Sequence, residues 1–221
     1  MSKQVSDAVR LCIITVAAGF ALGGIYMITK EPIAAQEIKV QQEAYRTVLG
    51  AADDFEELAG EEYTKEKIGE TFTELLANDP EAYTSDEITG VVAGVKDGKY
   101  VGLVVTVNAH DGYAGDIKYS VGVDPEGTLK GISLLEISET AGLGQRAKTD
   151  PSFLGQYQDK HVEKFVVVKD GSGAVADDKI DAIGGSTITS KAITRGVNAA
   201  LLAAREVKGS QVTTVGGVVI E

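Results

Sequence analysis

The stretch "DAIGGSTITSKAI", residues 181–193, sets Gly184 and Gly185 ahead of four hydroxyl side chains, Ser186, Thr187, Thr189 and Ser190, and then opens an amphipathic run. Residues of these types at this spacing belong at the start of a helix, and two kinds of chemistry fit them. In the first, Thr189 or Ser186 caps a helix that begins near Ser190, accepting a bond from a free backbone N–H, while the glycines let the chain turn sharply. In the second, the free N–H groups and the dipole of the helix start hold a phosphate group. The phosphate loop G-x-x-x-x-G-K-[ST] is absent, and so is a dinucleotide fingerprint. A phosphate here would therefore sit outside the usual nucleotide folds.

Two further stretches carry candidate residues. "ETAGLG", Glu139 to Gly144, reads by itself as a turn between strands, with Glu139 a solvated strand-end carboxylate. "DGYAGDI", residues 111–117, reads as a bulge carrying a core tyrosine, Tyr113, with His110 beside it in a structural role. Cys12 is the one cysteine, so no disulfide forms within the chain, and His110 and His161 stand far apart. No Cys/His cluster has metal-ligand spacing, and no metal is expected.

These residues need elements to position them. Residues 88–109, "ITGVVAGVKDGKYVGLVVTVNA", alternate with period two around "KDGK", a strong hairpin signal. "IKYSVGVDPEGTLKGISLLEIS" repeats the form around "DPEG", and residues 164–170 fit another strand. Helical spacing marks 36–59, with a break or bend at Gly50, and 64–78, with Ile68, Phe72, Leu75 and Leu76 on one face and "NDPEAYTSD" closing it. A last helix runs to about Lys208 through Ile193, Val197, Leu201 and Leu202. Hairpins flanked by helices predict an α+β fold with an antiparallel sheet.

Residues 11–29, "LCIITVAAGFALGGIYMIT", carry no charge and at ~1.5 Å per residue cover roughly 28 Å, close to the hydrocarbon thickness of a bilayer. Arg10 and Lys30 bracket this run. A cleaved signal peptide would have a shorter apolar core and a better small-x-small site than "PIAAQE" offers, so a retained transmembrane helix is the reading taken. The mild basic excess before it places the N-terminus in the cytoplasm. The expected organisation is a cytoplasmic N-terminus over 1–10, a transmembrane helix over 11–29, a helical connecting region over 30–85 and a globular domain over 86–221. The formal charge is −12, and all of the acidic excess lies beyond residue 30. Such a surface repels phosphate backbones, which excludes nucleic acid as a partner.

Taken together, the three stretches resemble the FMN-binding subunits of Rnf complexes and of sodium-pumping NADH:quinone oxidoreductases. "DAIGGST" is similar to the flavinylation motif D-x-x-[ST]-G-A-T of that family: Asp181, Gly185 and Thr187 match, while Gly184 and Ser186 stand in the Ser/Thr and Ala places. "ETAGLG" resembles E-T-P-G-L-G, with Ala141 for Pro, and "DGYAGDI" resembles G-Y-G-G-x-I, with Ala114 for Gly. The order of segments agrees along essentially the whole chain, and the length is nearer to the G subunit of Rnf.

The resemblance implies FMN joined through its phosphate to Thr187 by a flavin transferase. It implies that the backbone of Ser186, Ile188, Thr189 and Ser190 holds the other phosphate oxygens. Gly142 and Gly144 would admit N–H groups to the isoalloxazine edge, Leu143 would pack on the ring, and Thr140 would bond its edge. Glu139, Tyr113 and Gly185 complete the expected set, Asp181 belongs to the motif, and no residue is given a catalytic role. The implied function is electron relay in a membrane-bound ferredoxin:NAD oxidoreductase that moves Na⁺ or H⁺ outward. Its partners would be the other membrane and peripheral subunits and membrane lipid, with the flavin domain extracytoplasmic in the cell (inner) membrane. Two other classes fit the same residues: a stand-alone tethered FMN protein of another electron-transfer chain, and a colourless binding module in which the motif only caps a helix.

Overall fold

The structure, a computed structural model, describes residues 3–79, 83, 85–210 and 212–220. Two residues of the expected N-terminal segment and most of "PEAYT" in the expected closing turn lie outside the described residues. The chain divides into two compact units, Met1–Gln42 and Glu43–Glu221.

The first unit is helical. Its described residues lie within α1 (Lys3–Val48), whose last residues, from Glu43 on, belong to the second unit. The apolar run 11–29 continues without a break through Pro32, so the separate helix expected from residue 36 is part of α1. Leu11, Ile14, Phe20, Leu22 and Met27 are exposed on several sides, and the helix is long and apolar enough to cross a membrane.

In the second unit the helix stops at Val48, and Asp54–Glu57 forms strand β1 instead of the helix expected to 59. The physical reason is pairing. β1 lies antiparallel on β2 (Asp86–Lys96), and the Phe55 ring packs 5.4 Å from that of Tyr45. Neither contact is open to a helix continued through Gly50. The stretch 30–85 thus supplies an edge strand as well as α2 (Ile68–Asn78), which buries Ile68, Phe72 and Leu76 and leaves Leu75 half-buried.

β3 (Lys99–Ala109), β4 (Ile117–Val123) and β5 (Leu129–Ile137) complete a five-stranded antiparallel meander in the order β1-β2-β3-β4-β5. Asp97 and Gly98 both have positive φ, 50° and 71°, as the expected two-residue hairpin requires. One face of the sheet, with Leu103, Val105, Val107, Tyr119 and Val121, packs into the main core. The opposite face turns Val104 toward Tyr45, Val48 and Leu49 at the end of α1.

After β5 come two short helical turns, α3 (Arg146–Thr149) and α4 (Pro151–Gly155). β6 (Val166–Val168) and β7 (Lys179–Asp181) then form a separate parallel pair. The strand expected over 164–170 is thus shorter and lies off the main sheet. Asn198 explains this, since its Oδ1 accepts from Phe165 N–H at 2.8 Å and its Nδ2 donates to the Phe165 carbonyl at 2.9 Å.

Helix α5 (Thr187–Gly209) is the element on which the site depends. Ala192, Ile193, Val197, Ala200, Ala204 and Val207 recur at helical spacing and are buried against the sheet. Its register is pinned by Tyr119, whose hydroxyl donates to the Ile193 carbonyl at 2.9 Å. A Cβ at Gly196 would lie 2.2 Å from that hydroxyl, so only glycine lets the tyrosine reach the helix backbone. The start of α5 is thereby fixed against the sheet.

Candidate functional site

Strand pairing brings the candidate segments together. Ile117 pairs with Ala109 on one side and Ile137 on the other, so the loops 110–116 and 138–145 leave the sheet side by side. Between these loops and the start of α5 lies a cavity of about 360 Å³, lined by Tyr113, Glu139, Thr140, Leu143, Gly144, Gly185, Ser186, Thr187, Ile188 and Thr189. Three expected residues do not line it. Gly142 has φ +75° at an exposed turn. Ser190 is buried behind the loop, where its Oγ donates to the Ser186 carbonyl at 2.9 Å and accepts from Ile183 N–H at 3.0 Å. Asp181 sits in β7, where Gln156 bonds both its main-chain N–H and its carbonyl.

The capping reading does not hold. The helix begins at Thr187, earlier than expected, so Thr189 lies inside it. Ser186 occupies the cap position but makes no capping bond with its side chain, and its Oγ is buried without a partner. Ser190 organises the turn instead, and Gly185 supplies the φ of +80° that the turn needs. The first bond closing the helix runs from Ser190 N–H to the Ser186 carbonyl at 3.0 Å. The N–H groups of Thr187, Ile188 and Thr189 precede it and have no carbonyl within the helix. At this end the pocket is lined by the first residues of a 23-residue helix, with its positive dipole end, and by Ser186, whose buried hydroxyl has no partner.

Across the pocket the character changes. Tyr113, Leu143 and Ile188 are large apolar side chains left exposed around it. Glu139 is buried, with Oε1 accepting from Tyr113 N–H at 2.7 Å. A phosphate at the helix start joined to a flat apolar group between the loops is the ligand this arrangement fits. Gly144 keeps the space open, because a Cβ there would lie 2.6 Å from Glu139 Oε2 and 2.7 Å from Thr189 Oγ1. Gly144→Ala is expected to cost about 1–3 kcal/mol by overpacking. Thermal unfolding checks this against Gly131→Ala, where a Cβ would meet nothing within 4 Å. Equal melting temperatures for the two variants would show that the loop yields freely.

Sequence reasoning missed a charge cluster beside this site, built around the buried Asp86. Arg195 Nε donates to Asp86 Oδ2 at 2.8 Å, and its Nη2 lies 2.5 Å from Asp111 Oδ1. Burial raises the Asp86 carboxyl to a pKa of about 6, although the hydrogen bond and charge of Arg195 pull it down. Arg195, set between the buried apolar positions Ile193 and Val197 of α5, is the signal that could have been read. His110, expected to be structural, bonds Asp116 through Nδ1 at 2.9 Å and Glu87 through Nε2 at 3.3 Å. Partial burial works against its charge, but these two carboxylates prevail and raise its pKa.

Residues 112–202, which contain the three segments except Asp111, match the FMN-binding domain family. The chain is 33% identical to the G subunit of the Na(+)-translocating ferredoxin:NAD(+) oxidoreductase complex of Acetobacterium woodii, over 85% of each chain. It is 31% identical to the G subunit of the proton-translocating ferredoxin:NAD(+) oxidoreductase complex of Clostridium ljungdahlii, over 94% of this chain and 91% of that one. Among solved structures, NqrC of Shewanella oneidensis aligns with a TM-score of 0.40 at 24% identity, over 57% of this chain and 66% of that one.

Proposed function

This chain belongs to the family of G subunits of ion-translocating ferredoxin:NAD⁺ oxidoreductase complexes, and we propose that it carries FMN as a phosphoester on Thr187. Its function is that of an electron-relay subunit with an FMN-binding domain, within a complex whose electron transfer is coupled to ion translocation. The observation that carries the proposed attachment is the start of α5. There Ser186, whose buried Oγ has no partner, and Thr187, Ile188 and Thr189, whose N–H groups precede the first helical bond, line one pocket.

Bound there, FMN supplies the electron-carrying chemistry. The protein supplies position and electrostatics. The N–H groups of Thr187, Ile188 and Thr189 and the helix dipole would hold phosphate oxygens. Ser186 Oγ would gain the hydrogen bond it lacks. Tyr113, Leu143 and Ile188 would cover the ring, so the exposed apolar surface on the free domain becomes contact surface on the loaded one. An ester bond keeps the cofactor on the protein outside the cytoplasm, where free FMN is scarce. The charges flanking the apolar run of α1 favour a cytoplasmic N-terminus and an extracytoplasmic domain. The maturation partner is a flavin transferase, and the working partners are the other subunits and the lipid around α1.

Intact mass of the protein purified from its native membrane, followed by peptide mapping, tests the attachment. The expected result is the mass of FMN less one water on the peptide holding Thr187. An unmodified Thr187 peptide from cells that contain a flavin transferase would overturn it.

A further inference from the structure

We propose that Glu139 acts as a fixed negative charge that lowers the reduction potential of the flavin in this pocket, an inference that rests on the FMN reading above. Glu139 is 6% exposed, and it is the acidic side chain among those lining the cavity. A main-chain N–H, that of Tyr113, holds its Oε1. Its Oε2 lies on the side of Gly144 and Thr189, as the contacts of a Cβ at Gly144 locate it. Burying a carboxylate is costly unless something answers its charge. The positive end of α5, whose first residues line the same cavity, answers it in part.

The consequence concerns the charge that reduction adds. Electrons entering a ring in this cavity bring negative charge beside a carboxylate that water screens poorly. The unfavourable interaction weakens electron uptake and makes the bound cofactor a stronger donor to the next carrier. The hydrogen bond and the charge are separable: the first shapes the Tyr113 loop, the second sets the potential. Glu139→Gln keeps the size and the acceptor oxygen and removes only the charge.

The test is a spectroelectrochemical titration of the purified, flavin-loaded full chain. Glu139→Gln is expected to shift the reduction equilibrium at least tenfold toward the reduced form, about 30 mV for a two-electron couple. Glu57→Gln, on the exposed edge strand β1, is expected to leave the potential unchanged. Glu139→Asp keeps the charge but draws it back by one methylene, so its potential should lie between those of wild type and the glutamine variant. An unchanged potential in a flavin-loaded Glu139→Gln protein overturns the proposal. If that variant fails to fold, a Glu139→Asp potential at or below wild type overturns it instead. Absence of the flavin mass on wild type would count against the attachment reading, and that outcome is distinct from either of these.

Discussion

Thr187→Val is expected to abolish covalent flavin while leaving the fold intact. Valine has the shape of threonine without the hydroxyl, and Thr187 is half-buried as the first residue of α5. The register of that helix is set elsewhere, by Tyr119 on the Ile193 carbonyl and by Ser190 across the preceding turn. The stability change should therefore stay within about 0.5 kcal/mol. Denatured wild-type protein should keep its yellow colour and the added mass, and the valine variant should lose both completely. Two companions sharpen the result. Thr187→Ser retains an acceptor hydroxyl and should retain attachment at a reduced level. Ser186→Ala removes a buried hydroxyl that has no partner, so it should not destabilise the protein, and the covalent mass should remain. Covalent flavin persisting in Thr187→Val would place the ester on another of the clustered hydroxyls.

Much of this arrangement is legible in the sequence because local chemistry and tertiary structure agree there. "KDGK" can form only a tight turn, and the alternation on either side fixes which face of β2 and β3 is buried. The apolar spacing after residue 189 leaves α5 one way to pack. Other features are decided by partners far away in the chain, and period alone cannot reveal them. Asp54–Glu57 is acidic and short, and it becomes a strand because the edge of β2 and the Tyr45 ring await it. "KFVVVKD" has every local mark of a sheet strand, yet Asn198, some thirty residues on, holds Phe165 away from the meander. At the site itself, spacing alone favours a cap over a phosphate cradle. What separates them is a single atom, Ser186 Oγ, whose lack of a capping bond is a fact of three dimensions.

Arg195→Met is expected to be strongly destabilising at neutral pH and much less so under mild acid. The Asp86 side chain is fully buried, while Arg195 is 30% exposed. Removing the arginine strands Asp86 beside Asp111, and breaking such a pair costs about 3 kcal/mol, the low end of the range for buried partners. For a chain of this size that corresponds to a melting temperature roughly 6–12 °C lower. The sign of the pH dependence follows from burial. The Asp86 carboxyl has its pKa raised from 3.8 to about 6, so between those values the folded protein holds the proton and the unfolded chain does not. Stability therefore falls as pH rises through that window. Without Arg195 the upper end of the window moves above 6, so the loss should be smaller at pH 5 than at pH 8. His110 also favours the folded state at lower pH, because its pKa is raised, and its charge favours the ionised Asp86; it keeps Asp116 and Glu87 in both proteins. Adding Asp86→Asn should recover most of the lost stability, because the stranded charge is gone. A loss equal at both pH values, or a double variant weaker than the single one, would show that Arg195 acts through packing alone. The cluster also bears on the proposed flavin site. Arg195 lies eight residues, about 12 Å, along α5 from Thr187, and Asp111 begins the loop that brings Tyr113 to Glu139. Helix start and loop are held in one frame by this ion cluster, so the methionine variant purified from cells that contain the flavin transferase should carry less covalent flavin than wild type.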